Sequence, residues 1–327
     1  MCSGKRAGEV RARCLRLKPV RVAPPCALRR STAMHPRNPH RAGYDFAALT
    51  AASPSLAPFV RTAPHGGPTI DFADPAAVKA LNGALLLHYY GVRSWDLPSG
   101  YLCPPVPGRA DYLLTVADLL ATTNGGVIPQ GAGVRVLDVG VGANLIFPLV
   151  GHQAYGWTFT GSEVDPVALQ HGAEILAANP PFASAVSLRR QPARECIFSN
   201  VVAPDECFAL TLCNPPFHAS PEAAAAGTRR KLRQLGGGAA PRLTRNFGGT
   251  RSELWCTGGE LGFIRRMIVE SRVIAGRVGW FTTLVSSREH LPSLERALER
   301  AGAGDIRVLP LEHGQKKSRI LAWHFGR

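Results

Sequence analysis

The apolar run Phe208 to Cys213 is followed at once by Asn214, Pro215, Pro216 and Phe217. The Asn214 carboxamide oxygen and the Pro215 carbonyl are two acceptors that can take both N–H bonds of an exocyclic amine. Such an amine is a poor nucleophile, because its lone pair is delocalised into the adjoining ring or carbonyl. Accepting both N–H bonds steers the lone pair toward a methyl sulfonium, and the rest is in-line positioning. Two successive prolines stiffen the backbone that carries the acceptors. The Phe217 ring offers a face for a planar base that has left its helix. No general base is needed before a methyl transfer of this kind, which fits the lack of an obvious Ser/His/Asp set.

A Pro-Pro turn after a strand is the bland alternative, and upstream residues weigh against it. Asp138-Val139-Gly140-Val141-Gly142 closes another apolar run, Val134 to Val139, and its glycines let the backbone approach a nucleoside closely. Glu163 stands 25 positions after Asp138, at the end of the next strand-like run, where it can accept from the two hydroxyls of a ribose. Leu145 occupies the place of the third glycine in G-x-G-x-x-G, which argues against a nicotinamide dinucleotide.

These residues need a frame. Strands are expected at Val134–Val139, Trp157–Glu163, Val186–Arg190, Phe208–Cys213, Arg277–Val285, Ile306–Leu311 and Ser318–Phe325. Helices are expected over Asp74–Tyr90, Ala110–Ala121, Pro166–Ala178, Leu261–Ala275 and Leu291–Arg300, and Asp74-Pro75 and Asp165-Pro166 supply caps and first-turn prolines. Leu102–Arg109, with three prolines, reads as an extended connector. The alternation predicts an α/β fold: a Rossmann-like, doubly wound, mostly parallel sheet with a helical lobe ahead of it. The lobe is assigned to residues 34–122 and the sheet domain to residues 123–327, interrupted by a basic, glycine-rich loop over residues 221–259.

The net charge of +15 is uneven: residues 1–33 carry nine basic residues against Glu9 alone, or +8 of it. That stretch has no apolar periodicity and no continuous apolar core of a secretory signal. It reads as a disordered basic extension, of a composition an organellar transit peptide shares, or as reading frame upstream of a start at Met34. The moderate basic excess left in the body agrees with a polyanionic partner. The longest apolar runs fall far short of the roughly 18 residues a membrane helix needs. The cysteines form no C-x-x-C pair, so no metal site is expected.

Taken together, His35-Pro36-Arg37-Asn38, Tyr44-Asp45-Phe46, Pro105-Val106-Pro107-Gly108-Arg109, Leu137 to Asn144 and Asn214-Pro215-Pro216-Phe217-His218 resemble the bacterial 23S ribosomal RNA adenine-N6 methyltransferase family. More distantly, they resemble the eukaryotic small nuclear RNA adenine methyltransferases. The likeness runs from about Met34 to the carboxyl terminus and implies a class I methyltransferase using S-adenosylmethionine. It implies that Arg109 reaches the methionine carboxylate, that Asp138, Gly140, Gly142 and Asn144 line the cofactor site, and that Glu163 holds the ribose. Asn214 to Phe217 would hold the target adenine. Arg229, Arg230, Lys231, Arg233, Lys316 and Lys317 would then neutralise RNA phosphates. The partner implied is 23S ribosomal RNA or a large-subunit assembly intermediate, met by a cytoplasmic monomer. Because the Asn-Pro-Pro-aromatic motif also serves guanine-N2 and protein-glutamine methyltransferases, these remain alternatives. So does a non-catalytic RNA-binding protein on the same fold.

Overall fold

The computed structural model describes residues 34–64, 66–218, 220, 255–313 and 316–326. The extension 1–33 and the loop cations Arg229, Arg230, Lys231 and Arg233 lie outside the described residues.

The amino-terminal part is built from short local signals. Asp45 accepts from the Ala48 amide to start α1 (Phe46–Ala52), and a two-strand hairpin, β1 (Arg61–Thr62) and β2 (Pro68–Thr69), follows. Helix α2 (Pro75–Tyr90) begins where Asp74 accepts from the Ala76 amide, and ends at left-handed Gly91. Helix α3 spans Val106–Thr123. The expected extended connector therefore stops short of Arg109: Pro107 sits in the first turn, where a proline's missing N–H costs nothing.

The sheet comprises β3 (Arg135–Val139), β4 (Thr158–Glu163), β5 (Val186–Arg190), β6 (Phe208–Cys213), β7 (Val278–Val285), β8 (Asp305–His313) and β9 (Lys316–His324). Their order is β5-β4-β3-β6-β7-β9-β8, all parallel except β9, which runs antiparallel to both its neighbours. This is the expected doubly wound sheet. Lys316 and Lys317 open β9, so their backbone is placed, while their side chains lie outside the description.

The connecting helices are α4 (Ile146–Tyr155), α5 (Pro166–Ala178), α6 (Pro180–Ala183), α7 (Gly259–Ser271) and α8 (Leu291–Ala301). Helix α4 has no counterpart among the expected elements. It starts from Leu145 without a side-chain cap, and its first six residues are all buried, so no polar face marks the helical period.

Strand alternation divides the core. Val136, Leu210, Leu212 and Trp280 face a cluster shared with α2, α3 and α4, whereas Leu137, Val139, Phe281 and Val285 face α7 and α8. Between β3 and β4 the packing is close: a Cβ on Gly161 would meet Val141 atoms at 2.9–3.0 Å. Gly161→Ala is expected to destabilise the protein by about 1–3 kcal/mol through overpacking. Urea unfolding would measure it, and an unchanged midpoint would mean the loop gives way freely.

Candidate active site

Register places the chemistry. Val139 of β3 pairs with Cys213 of β6, so the chain leaves two adjacent parallel strands at the same level, as Gly140 on one side and Asn214 on the other. The winding reverses here, from β3 out to β4 and β5 and back to β6, and an open sheet binds ligands at such a point. Gly140 and Gly142 take φ of 72° and 66°, which suits glycine, and the Gly140 and Val141 amides both donate to the Ser162 carbonyl.

One cleft is lined by Arg109, Gly140, Gly142, Asn144, Glu163, Asn214 and Pro216, together with Leu102, Pro104, Val141, Ile146 and Phe147. Seven of the residues singled out in the sequence thus share one cleft. Asp138 is buried, Pro215 is buried beside the cleft, and Phe217 is half-buried. Asn144 spends its side-chain oxygen on the Ile146 amide and its carbonyl on Trp95 Nε1, so it also shapes the loop. Leu145, in the place of a third glycine, takes a left-handed φ of 51°, a conformation that costs a residue with a Cβ about 1–2 kcal/mol.

Glu163 is buried and accepts from the amides of Gly142, Val164 and Asp165 at 3.1, 2.8 and 3.0 Å. Those three bonds leave room for about one more on a carboxylate with roughly four acceptor positions. Desolvation pushes its pKa up, and the three amides oppose that.

Asp138 is 1% exposed, and neither carboxylate oxygen has a hydrogen-bond partner. Burial pushes its pKa up to about 8; the Arg109 charge opposes that rise and Glu163 adds to it. Arg109 is half-buried over the Phe147 ring, 5.5 Å from its centroid, and desolvation draws its pKa down to about 10 against the pull of Asp138. Asn214 presents a third orphan, a buried Oδ1 without a partner. Unpartnered buried polar atoms are costly and rare in folded proteins, so three of them around one cleft suit a ligand that brings donors.

Tyr112, one helical turn after Arg109, was not singled out by the sequence. Its hydroxyl lies 2.8 Å from Thr282 Oγ1 and accepts from the Cys213 amide at 3.4 Å, next to Asn214. Because Thr282 Oγ1 donates to the Thr211 carbonyl, the Tyr112 hydroxyl donates to Thr282, which fixes the direction of the chain of bonds. Its ring meets Phe147 edge-on at 5.2 Å. Beyond the motif, His218 bridges Trp255, and the Cys256 amide donates to the His218 carbonyl. The far end of the expected loop 221–259 is therefore fastened beside the site. Among the described residues, no group of three or more His, Cys, Asp or Glu side chains could hold a metal. No helix among them is long and apolar enough to cross a membrane.

A seven-stranded sheet of this order, with an acceptor-rich cleft across β3 and β6, defines a class I, S-adenosylmethionine-dependent methyltransferase. A family model described as RNA methyltransferase matches residues 28–327, and the chain belongs to that family. It is 53% identical to the ribosomal RNA large subunit methyltransferase F of Pseudomonas aeruginosa (strain LESB58), over 94% of this chain and 92% of the relative. It is 54% identical to the protein of that name from Cronobacter sakazakii, over 91% and 95%. The human Mettl16 catalytic domain in complex with the MAT2A 3'UTR hairpin 6 superposes with a TM-score of 0.74 at 28% identity, covering 90% of this chain and 98% of that one. The amino-terminal domain of human METTL16 in complex with SAH superposes at 0.71 and 25% identity, covering 90% and 99%.

Two expectations follow. In the ligand-free protein Asp138 holds a proton more tightly folded than unfolded, so its contribution to stability is full below about pH 4 and is lost as pH rises through about 8. Asp138→Asn should therefore flatten the fall in Tm between pH 5 and pH 9 while weakening cofactor binding. An identical Tm profile in variant and parent would refute this. Tyr112→Phe should lower kcat about tenfold and leave the S-adenosylhomocysteine Kd unchanged, since its bonds brace the Asn214 side of the cleft. Single-turnover transfer and calorimetric titration would separate the two quantities.

Proposed function

We propose that this enzyme transfers a methyl group to the N6 of an adenine in large-subunit ribosomal RNA. The observation that carries the reading is the buried, unpartnered Asn214 Oδ1 on the same cleft as Arg109 and Glu163, whose charges act on the unpartnered Asp138.

The residues present fit S-adenosylmethionine. Its ammonium would supply the donors that the Asp138 oxygens lack, its carboxylate would meet the Arg109 guanidinium, and a ribose hydroxyl would take the free position on Glu163. Leu102, Pro104, Val141, Ile146 and Phe147 would exclude water from the rest of it. When bound, the cofactor supplies an electrophilic methyl on a cationic sulfur.

On the acceptor side, Asn214 Oδ1 takes one N–H of the exocyclic amine, and the Pro215 carbonyl takes the other. Phe217 stacks on the base and holds its plane. With both hydrogens fixed by Asn214 and Pro215, the amine lone pair would point along the line of displacement toward the electrophilic methyl that the bound cofactor would supply, and the nitrogen would shed a proton to solvent after transfer.

The choice of acceptor rests on kinship. The relatives from Pseudomonas and Cronobacter carry ribosomal RNA large subunit methyltransferase in their names, and the resemblance read from the sequence implies adenine N6 in 23S RNA. We read the substrate as that RNA or an assembly intermediate containing it, met in the cytoplasm. The basic residues Arg229, Arg230, Lys231, Arg233, Lys316 and Lys317 are assigned to its phosphates.

The test is transfer of labelled methyl from S-adenosylmethionine to ribosomal RNA from a strain lacking the enzyme, followed by digestion to nucleosides. Label in N6-methyladenosine, lost by at least a thousandfold in Asn214→Ala, is the expected outcome, on the scale of a deleted transition-state acceptor (roughly 10²–10³) plus lost positioning. Label in N2-methylguanosine, or in protein alone, would overturn the acceptor and keep the enzyme class.

A further inference from the structure

We propose that the segment Met34–His40 is a clip that sets the position of Arg109 in the cofactor cleft, with Asn38 as its positioning residue. The inference rests on the reading of Arg109 as a cofactor ligand.

Helix α3 carries Arg109 but starts without a side-chain cap, so no cap of its own fixes its first turn. The fixing comes from about seventy residues earlier in the chain. Asn38, 4% exposed, donates from Nδ2 to the Pro107 carbonyl at 2.9 Å and to Asp111 Oδ1. Its own Oδ1 accepts from the His40 amide at 2.9 Å, which closes the segment on itself. Asp111 is equally buried and also accepts from the His35 amide at 3.1 Å, so donors from the clip meet its carboxylate. Farther along, Arg37 donates to the Leu114 carbonyl at 3.2 Å and to Asp118 Oδ1 at 2.7 Å, and His35 Nε2 lies 2.9 Å from Asp118 Oδ2.

The four gripped positions, 107, 111, 114 and 118, follow the i, i+4, i+7, i+11 spacing of a single helical stripe. Arg109 lies two residues from both Pro107 and Asp111, roughly 200° around the axis at 3.6 residues per turn. The clip thus holds α3 from the side away from the cleft, while the guanidinium reaches into the cleft from the other. Rolling or sliding of the helix would carry Arg109 with it, and displacements near 1 Å are enough to matter for positioning.

Asn38→Ala is expected to raise the Kd for S-adenosylhomocysteine about tenfold by calorimetry, with the protein still folded by thermal melt. The decisive measurement is a cycle with Arg109→Ala. If the clip acts through Arg109, adding Asn38→Ala to Arg109→Ala changes the Kd no further; fully additive losses would sink the clip while leaving Arg109 a ligand. An Arg109→Ala variant that binds S-adenosylhomocysteine like the parent would instead overturn the ligand reading itself, and the clip with it. Should Asn38→Ala fail to fold, Arg37→Ala removes the half-exposed end of the same clip. A two- to threefold loss, again absent in the Arg109→Ala background, is then expected, and an unaltered or additive Kd would refute the proposal.

Discussion

Everything in this enzyme hangs on two neighbouring parallel strands ending level with each other. The pairing of Val139 with Cys213 sets a glycine loop and an asparagine side by side, with an antiparallel β9 far enough away not to intrude. A shift of one residue would turn Asp138 toward α7 and α8 and take the orphan carboxylate away from Arg109 and Glu163. Both sheet faces are packed with apolar side chains, which gives that register a large energetic margin.

The margin is needed because the site itself works against stability. A buried carboxylate without a partner, a leucine in a left-handed turn and an amide oxygen facing no donor all raise the energy of the ligand-free fold. Each is held by something rigid: Asp138 by strands on both sides, Leu145 by its own complete burial, and Asn214 by two prolines behind it and the Tyr112 hydroxyl before it. The site is preorganised to accept from a ligand's donors, and such bonds would relieve what the fold endures.

Much of this was legible because the signals are local. Gly140, Gly142, Glu163 and Asn214 each sit at or just past the end of a strand-like run, so the strand pattern alone brought them to the carboxyl ends of neighbouring strands. Asp74 and Asp165 declared their helices by the cap they form. Helix α4 was hidden, since its first six residues are all buried and leave no polar face there to beat out the period of 3.6. The start of α3 was hidden by its prolines, which mean an extended chain as often as a first turn. Tyr112 and the clip were hidden by distance along the chain: the bonds of Tyr112 reach residues 101 and 170 positions away, and no pattern within a window reports them.

The bridge between His218 and Trp255 has a different kind of consequence. It joins the chain again directly behind Asn214–Phe217, so whatever lies between those two residues is closed off like a drawstring. Closure entropy grows only with the logarithm of length, and doubling such a span costs about 0.6 kcal/mol. The two ends of that stretch are therefore held together at little extra cost whatever the length between them, and a change of length there leaves the strand ends that carry Gly140 and Asn214 in register.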